Sequence, residues 1–469
     1  MSEYTTSNVT HGGSRQLPAR GIKGLPILGN LPDFARDPLD FLLRQQALGD
    51  VVNIRLGPRL MYQVNHPAGV QHVLQENNHN YTKEGFKTDF VDLVVGDGLI
   101  TSDGDLWLRQ RRLMQPAFHR QQIQEMAAMM VQSTEQALQG WEAALKSGEP
   151  VDISAVMMHL TLDIANRALF STDIDAVAGG EIDQIARALT VITGDVSYRY
   201  ERPFYPLWAP TARNRRYKDA IDTLNTIIYR IIHNRRALLE ANPEAAPPDL
   251  LTTLMTARDA DTGEGMSDRQ LRDEVTTLFF AGHETTAITL IWAWVLLARH
   301  PEVEARLHAE VDQVLNSRLP TYMDLERLPY TRMIIDETLR LYPAAWLTNR
   351  MAVSADVICG YAIPAKAFIT LSPYATHHHP DFWPQPEKFE PERFDPARKS
   401  EHHPYAYFPF GAGPRLCIGR SMALVEAPLI LATIAQRYRL CLDASRPVVS
   451  WAAATLRTRE PVSMYLFAR

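Results

Sequence analysis

Cysteine is scarce in this chain. There are three in 469 residues, Cys359, Cys417 and Cys441. So sparse and odd a set builds no disulfide framework, and a reducing, cytoplasmic compartment is expected. Long apolar runs are missing too. The longest, from Thr285 to Ala298, falls short of the roughly 20 residues that a membrane span needs, so no transmembrane anchor is expected. Nor is positive charge in excess: the net charge is −6, whereas a nucleic-acid partner wants a basic surface. The N-terminus, "MSEYTTSNVTHGGSRQ", has no apolar core for a signal peptide, and residues 1–17 read as a disordered leader. Repeats and linker-like shifts of composition are absent, so residues 18–469 read as one domain.

Helical periodicity dominates from about His66 to Tyr342, with breaks near Gly96–Gly104, Pro203–Pro210 and Pro243–Pro248. Before it, "VVNIRLGPRLMYQVN" alternates around a Gly-Pro turn and predicts a hairpin. After it, prolines recur, and "DVICGYAIPAKAFITLS" predicts short strands. Helix returns after Cys417 to about Tyr438, and "RTREPVSMYLFAR" closes as strand. The fold class expected is mainly α, with a smaller β-rich part.

One helix stands out. Ser267, with Gln270 three residues on, forms a capping box, and the pattern then runs about thirty residues to Arg299. At 1.5 Å per residue such a helix is roughly 45 Å long and crosses the molecule. Its middle, "FFAGHETT", gathers Gly282, Glu284, Thr285 and Thr286 in an apolar setting. Gly and Thr weaken a helix, and a Thr hydroxyl can bond back to a carbonyl one turn earlier. Two readings stand: a helix contact through small residues, or a distortion that sets an acid and an alcohol side by side over a reaction centre.

Elsewhere, Glu337 and Arg340 are spaced i,i+3 before Pro343, and "PERF" places Arg393 where it could join them in a three-way network. Cys417 lies in "FGAGPRLCIG". A zinc site would want a second ligand nearby, and a nucleophile would want a base, which Arg415 is not. A buried structural thiol and an axial thiolate to a heme iron remain. The second reading explains the neighbours. Glycines let backbone approach a flat cofactor, N–H groups at the next helix start can donate to sulfur, and Arg415 can pair with a carboxylate.

The order Phe410-x-x-Gly413-x-Arg415-x-Cys417-x-Gly419 resembles the heme-binding loop of the cytochrome P450 family. "AGHETT" resembles that family's oxygen-activation segment, Glu337-x-x-Arg340 its Glu-x-x-Arg, and "PERF" the segment that supplies the partner arginine. Trp107 and Arg111 match a Trp-x-x-x-Arg that holds a heme propionate. The resemblance extends from about Pro18 to the C-terminus. It implies the P450 fold, with the long helix crossing over heme b (iron protoporphyrin IX), and Cys417 as iron ligand.

Carried over, Trp107, Arg111, Arg350 and Arg415 would hold the propionates, with Lys83 a weaker candidate. Phe410 would shield the sulfur, and Gly419 belongs to the same loop. Glu284 and Thr285 would deliver protons for oxygen activation. Glu337, Arg340 and Arg393 would be structural. Pro428, inside the helix after Cys417, departs from the pattern and predicts a kink.

The resemblance implies a monooxygenase that uses O2. A peroxide-dependent peroxygenase or hydroperoxide isomerase of the same fold is the alternative, though such relatives typically lose the acid–alcohol pair. A non-catalytic heme sensor would need a signalling domain. Pocket candidates by position are Phe86, Phe90, Phe280, Ala281, Trp346, Leu347 and Leu456, all apolar, so a hydrophobic fatty acid, terpenoid or steroid is expected. A carboxylate anchor could come from Arg199 or Arg202. The chain ends soon after the heme segment, so electrons are expected from a separate ferredoxin or flavodoxin with its reductase. Arg109, Arg112 and Arg120 would attract it. A monomer is expected. "ATHHHPDFW" holds His377, His378 and His379, for which a structural role is expected ahead of a metal site.

Overall fold

The computed structural model describes residue 17 and residues 19–83, 89–171, 181–202 and 205–469. The leader, apart from Leu17, and Phe86 lie outside the described residues. Apolar positions at helical spacing produce long helices through the middle of the chain, among them Gly104–Met114, Arg120–Leu138, Ile153–Phe170, Glu181–Glu201 and Ala212–Ala241. The long helix spans Asp268–Arg299, and its Ser267–Gln270 capping box is present. Gln270 N donates to Ser267 Oγ at 3.3 Å, and Ser267 N donates to Gln270 Oε1 at 3.0 Å.

That helix is shared by two cores. Its first half, through Leu271, Val275 and Phe279, packs with Glu181–Glu201 and Ala212–Ala241. Its second half, from Ala287 to Leu297, packs with Arg120–Leu138, Ile153–Phe170 and Arg420–Ala435. It is long and apolar enough to cross a membrane, but it is mostly buried inside the protein.

The expected hairpin forms from Val51–Leu56 and Arg59–Val64. It edges a five-stranded sheet, continued by Phe368–Leu371, Thr348–Ala352 and Tyr81–Thr82, in which only the pairing of Arg59–Val64 with Phe368–Leu371 is parallel. Asp356–Ile358 and Tyr361–Ile363 form a tight hairpin with Cys359 and Gly360 both at positive φ. Ser463–Ala468 pairs with Tyr438–Leu442 and Val151–Asp152, and Ser450–Ala452 pairs with Leu456–Thr458.

Pro428 lies inside a helix. The helix Arg420–Ala435 continues through it and ends three residues short of Tyr438, where a strand begins. Proline leaves one carbonyl without its donor, but every residue from Val425 to Ala435 is buried, so packing holds the helix together.

The Glu337–Arg340–Arg393 network is present and fully buried. Arg340 forks onto Glu337 at 2.7 and 2.9 Å and also donates to the carbonyls of His377, Pro386 and Lys388. Arg393 lies 3.4 Å from Glu337. His377 is structural: its Nε2 accepts from Phe408 N at 2.9 Å, which leaves Nδ1 to donate to Arg340 O at 3.2 Å. Among the described residues no group of three or more His, Cys, Asp or Glu could hold a metal.

Candidate active site

The Cys417 loop is shaped by glycine. Gly411 and Gly413 both take positive φ, and a Cβ on Gly413 would lie 1.8 Å from the Leu74 carbonyl oxygen. Only glycine fits there. Phe410 O accepts the Cys417 N–H at 2.9 Å, which fixes the residue. The N–H groups of Gly419 and Arg420 bond to the sulfur. Burial nevertheless pushes the thiol up, and those bonds, with the charges of Arg111 and Arg420, only oppose it. Yet Cys417 keeps exposed surface. A sulfur that is deep in the protein and still accessible faces an internal void.

The long helix meets that void from the other side. Most of the helix around it is buried, but Leu278, Phe280, Ala281, Gly282 and Thr285 keep accessible surface, and a Cβ added to Gly282 would meet nothing within 4 Å. Phe280 and Ile418 pack against the same apolar cluster, which brings the helix middle to the cysteine loop. Ala345 is exposed between buried Ala344 and Trp346. No motif marks it, and its accessible surface is the only signal.

Glu284 and Thr285 are not side by side. Consecutive helical residues point about 100° apart. Thr285 is half-buried and donates to Ala281 O at 2.8 Å, the back-bond expected for a Thr at this place. Glu284 is buried and turned toward the C-terminal hairpin. Thr455 Oγ1 donates to its Oε1 at 2.9 Å, and Arg457 Nη1 lies 3.7 Å away. Arg457 also reaches Ser197 Oγ at 3.3 Å. Thr455, Arg457 and Ser197 are functional candidates that the sequence reading missed, because nothing local ties them to Glu284.

At the rim of the void three cations converge. Burial and the charges of Arg350 and Arg415 bring the Lys83 ammonium down to about 7. Burial and Arg415 bring Arg350 down to about 10. Among the described residues Asp103 is the carboxylate that relieves them: it pairs with Arg415, accepts the Lys83 N–H at 2.6 Å and caps the helix Gly104–Met114. The Arg415 guanidinium lies 4.2 Å from the centroid of the Trp107 ring. Arg111 has no hydrogen bond or ion pair among the described residues and faces Cys417 electrostatically. Three cations against one carboxylate leave room for a dianionic group.

Other expectations need correction. Trp346 and Leu456 do not line the void. They are buried in a separate cluster with Phe41 and Leu42, against which Leu347 also packs. The hairpin turn draws them in: Trp346 Nε1 donates to Ala453 O at 2.9 Å, and Leu456 N donates to Ala344 O at 3.0 Å. Phe90 is half-buried, edge-on to Tyr200 at 5.4 Å. Arg199 is no carboxylate anchor. It is buried, bonded to Asp195 and Asn214, and lies over the rings of Tyr205 and Tyr217. Arg109 donates to Gly265 O and lies 3.9 Å from the Glu264 carboxylate, and Arg112 is paired with Asp261 at 2.7 Å, so both have acidic partners. Arg120 is exposed, close to Tyr322 and Glu326.

The family model described as Cytochrome P450 matches residues 19–461. Cyclooctatin synthase of Streptomyces melanosporofaciens is 41% identical over 89% of this chain and 88% of its own length. Pentalenene oxygenase of Streptomyces avermitilis is 32% identical over 95% of this chain and 96% of its own. Among solved structures, the cytochrome P450DA heme domain superposes with a TM-score of 0.86 at 28% identity, covering 97% of this chain and 98% of that one.

Proposed function

Because this chain belongs to the cytochrome P450 family, we propose roles for its own residues in the monooxygenase reaction of that family. The protein is an oxidoreductase, a P450 monooxygenase with a heme cofactor. The group fits the residues present. The void has a sulfur at its floor, a helix across its top, and an uncompensated cluster of cations at its rim for two carboxylates. When bound, heme supplies the activation of O2, so that with two electrons and two protons one oxygen atom enters the substrate and the other leaves as water.

Cys417 would hold the iron as a thiolate, with the Gly419 and Arg420 N–H groups supporting the negative sulfur. Phe410, half-buried beside the loop, shields it. Arg415, Arg350 and Lys83 would hold the carboxylates, with Trp107 under Arg415 and Arg111 near Cys417. Thr285 orients a water with its hydroxyl, and Glu284 carries protons inward from the hairpin side.

The substrate is a terpenoid. Relatives are named cyclooctat-9-en-7-ol 5-monooxygenase and pentalenene oxygenase. The observation that carries the reading is the apolar, uncharged accessible surface of Phe280, Ala281, Gly282 and Ala345. With Arg199 bonded internally, a fatty-acid carboxylate loses that anchor. Residues 18–469 act as one domain, monomeric and cytoplasmic, in keeping with three free cysteines. A separate acidic ferredoxin or flavodoxin delivers electrons over the Cys417 loop, where Arg420 is exposed. Screening cyclic terpenes, fatty acids and steroids for a substrate-induced spin-state change tests the substrate class. Terpenes should produce the change at the lowest concentration, and a response to fatty acids alone would overturn the assignment.

A further inference from the structure

The long helix Asp268–Arg299 carries five threonines. Four of them donate to a carbonyl one turn earlier, at 2.8–3.3 Å: Thr276 to Arg272 O, Thr285 to Ala281 O, Thr286 to Gly282 O and Thr289 to Thr285 O. Thr277 does not. It is buried, and its Oγ1 has no hydrogen-bond partner among the described residues. The hydroxyl is turned to the loop that crosses the helix, where a Cβ on Gly98 would lie 2.1 Å from it.

Glu274, three residues earlier on the same face, has no exposed surface. Its Oε2 accepts Leu99 N at 3.0 Å, but its Oε1 is also without a partner among the described residues. The neighbouring Asp273 is satisfied, by Arg272 at 2.7 Å and by Asp97 N at 3.1 Å. Burial pushes the Glu274 carboxyl up to about 8, so near neutral pH it holds its proton. An acid that can donate and a hydroxyl that can accept thus stand together, each left unsatisfied at a cost.

The pair lies at one end of the void. Glu274, Leu278, Ala281 and Thr285 recur at i, i+4, i+7 and i+11, a single stripe of the helix, and the last three keep accessible surface. The loop follows the same course. From Leu99 it passes to Ile100, which is 41% exposed and whose carbonyl accepts from Lys83 Nζ at 2.7 Å, at the rim.

We propose that Glu274 and Thr277 bind a hydroxyl group that the substrate already carries. The ligand oxygen accepts from the Glu274 carboxyl and donates to Thr277 Oγ1. It enters past Gly98, where the lack of a side chain leaves least to move. Both partners are neutral, which suits an alcohol rather than a carboxylate or an amine. The inference rests on the terpenoid reading and narrows it to a terpene alcohol, held about 12 Å along the helix from Thr285. An earlier hydroxylation, or a ring closure ended by water, must supply such a substrate.

The test titrates heme-loaded full chain with hydrocarbon and alcohol pairs of two sizes, cedrene with cedrol and abietadiene with abietadienol, and with palmitic acid. The substrate-induced spin-state change gives the dissociation constants. In either pair the alcohol should bind about tenfold more tightly than the hydrocarbon. Thr277→Val and Glu274→Leu should bring that ratio close to one, whereas Glu274→Gln, which still donates, should keep it. Glu274→Leu also strands Leu99 N, so Thr277→Val, which breaks no bond within the chain, decides. Thr277→Val should not lower the urea midpoint of ligand-free protein, because it removes an unpaired group. A lowered midpoint would assign the hydroxyl to the fold and overturn the proposal. Equal binding of alcohol and hydrocarbon, or a preference that survives Thr277→Val, would overturn it and leave the terpenoid reading standing. A response to palmitic acid alone, or to no terpene, would overturn both.

Discussion

In the proton delivery we propose, Glu284 is the residue whose surroundings say most. Its carboxylate is bonded to Thr455 and lies near Arg457, away from the Thr285 hydroxyl. Arg457 in turn touches Ser197 on the helix Glu181–Glu201. Arg457 is thus placed to aim Glu284 and links it to that helix. Arg457→Ala should leave the heme spectrum intact. It should lower product formed per O2 consumed by roughly tenfold, less than outright removal of a proton-transfer group. The lost product should reappear as hydrogen peroxide. Arg457→Lys should restore most of it. Unchanged stoichiometry in Arg457→Ala would show that Glu284 needs no such aim.

At the scale of elements, the buried ion network holds the helix Pro329–Leu341 to the segment that precedes the cysteine loop. Arg340 has no exposed surface and satisfies three carbonyls besides Glu337, so removing either charge strands the other. Glu337→Ala should destabilise the protein by about 3–5 kcal/mol, read as a fall in the urea midpoint and in the yield of soluble heme-loaded protein. A loss below about 1 kcal/mol would mean that the pair is solvated.

Elements like this one were legible because their signals are local: Glu337 and Arg340 at i,i+3, Ser267 and Gln270 at a helix start, glycines around Cys417. Positions that depend on folding leave no such local signal. Adjacent letters suggested that Glu284 and Thr285 face together, whereas a helix turns them apart. Trp346 and Leu456 looked like pocket residues from their place after known motifs, but the hairpin at Ala453 pulls them into a core with Phe41. Arg112 looked free because Asp261 belongs to another loop, whereas Asp195, one turn before Arg199 on the same helix, was a local partner in plain view.

Over the whole molecule, the fold brings like charges to a cavity that only an anionic group can neutralise. Lys83 feels this most. With its ammonium at about 7 in the folded chain and near 10.4 when unfolded, the unfolded chain binds more protons between those values. The stability of heme-free protein should therefore gain as pH rises from about 7 toward about 10. Lys83→Met removes this burden, so its advantage over wild type should be largest at pH 7 and vanish near pH 10, by urea denaturation. An advantage independent of pH would contradict the convergence of charges. The central claim, that Cys417 ligates the iron, rests on a single atom and has a direct test. Dithionite-reduced protein is exposed to carbon monoxide and the difference spectrum recorded. The account predicts a strongly red-shifted Soret band that Cys417→His abolishes. A band at the position typical of histidine ligation in the wild-type protein would contradict it.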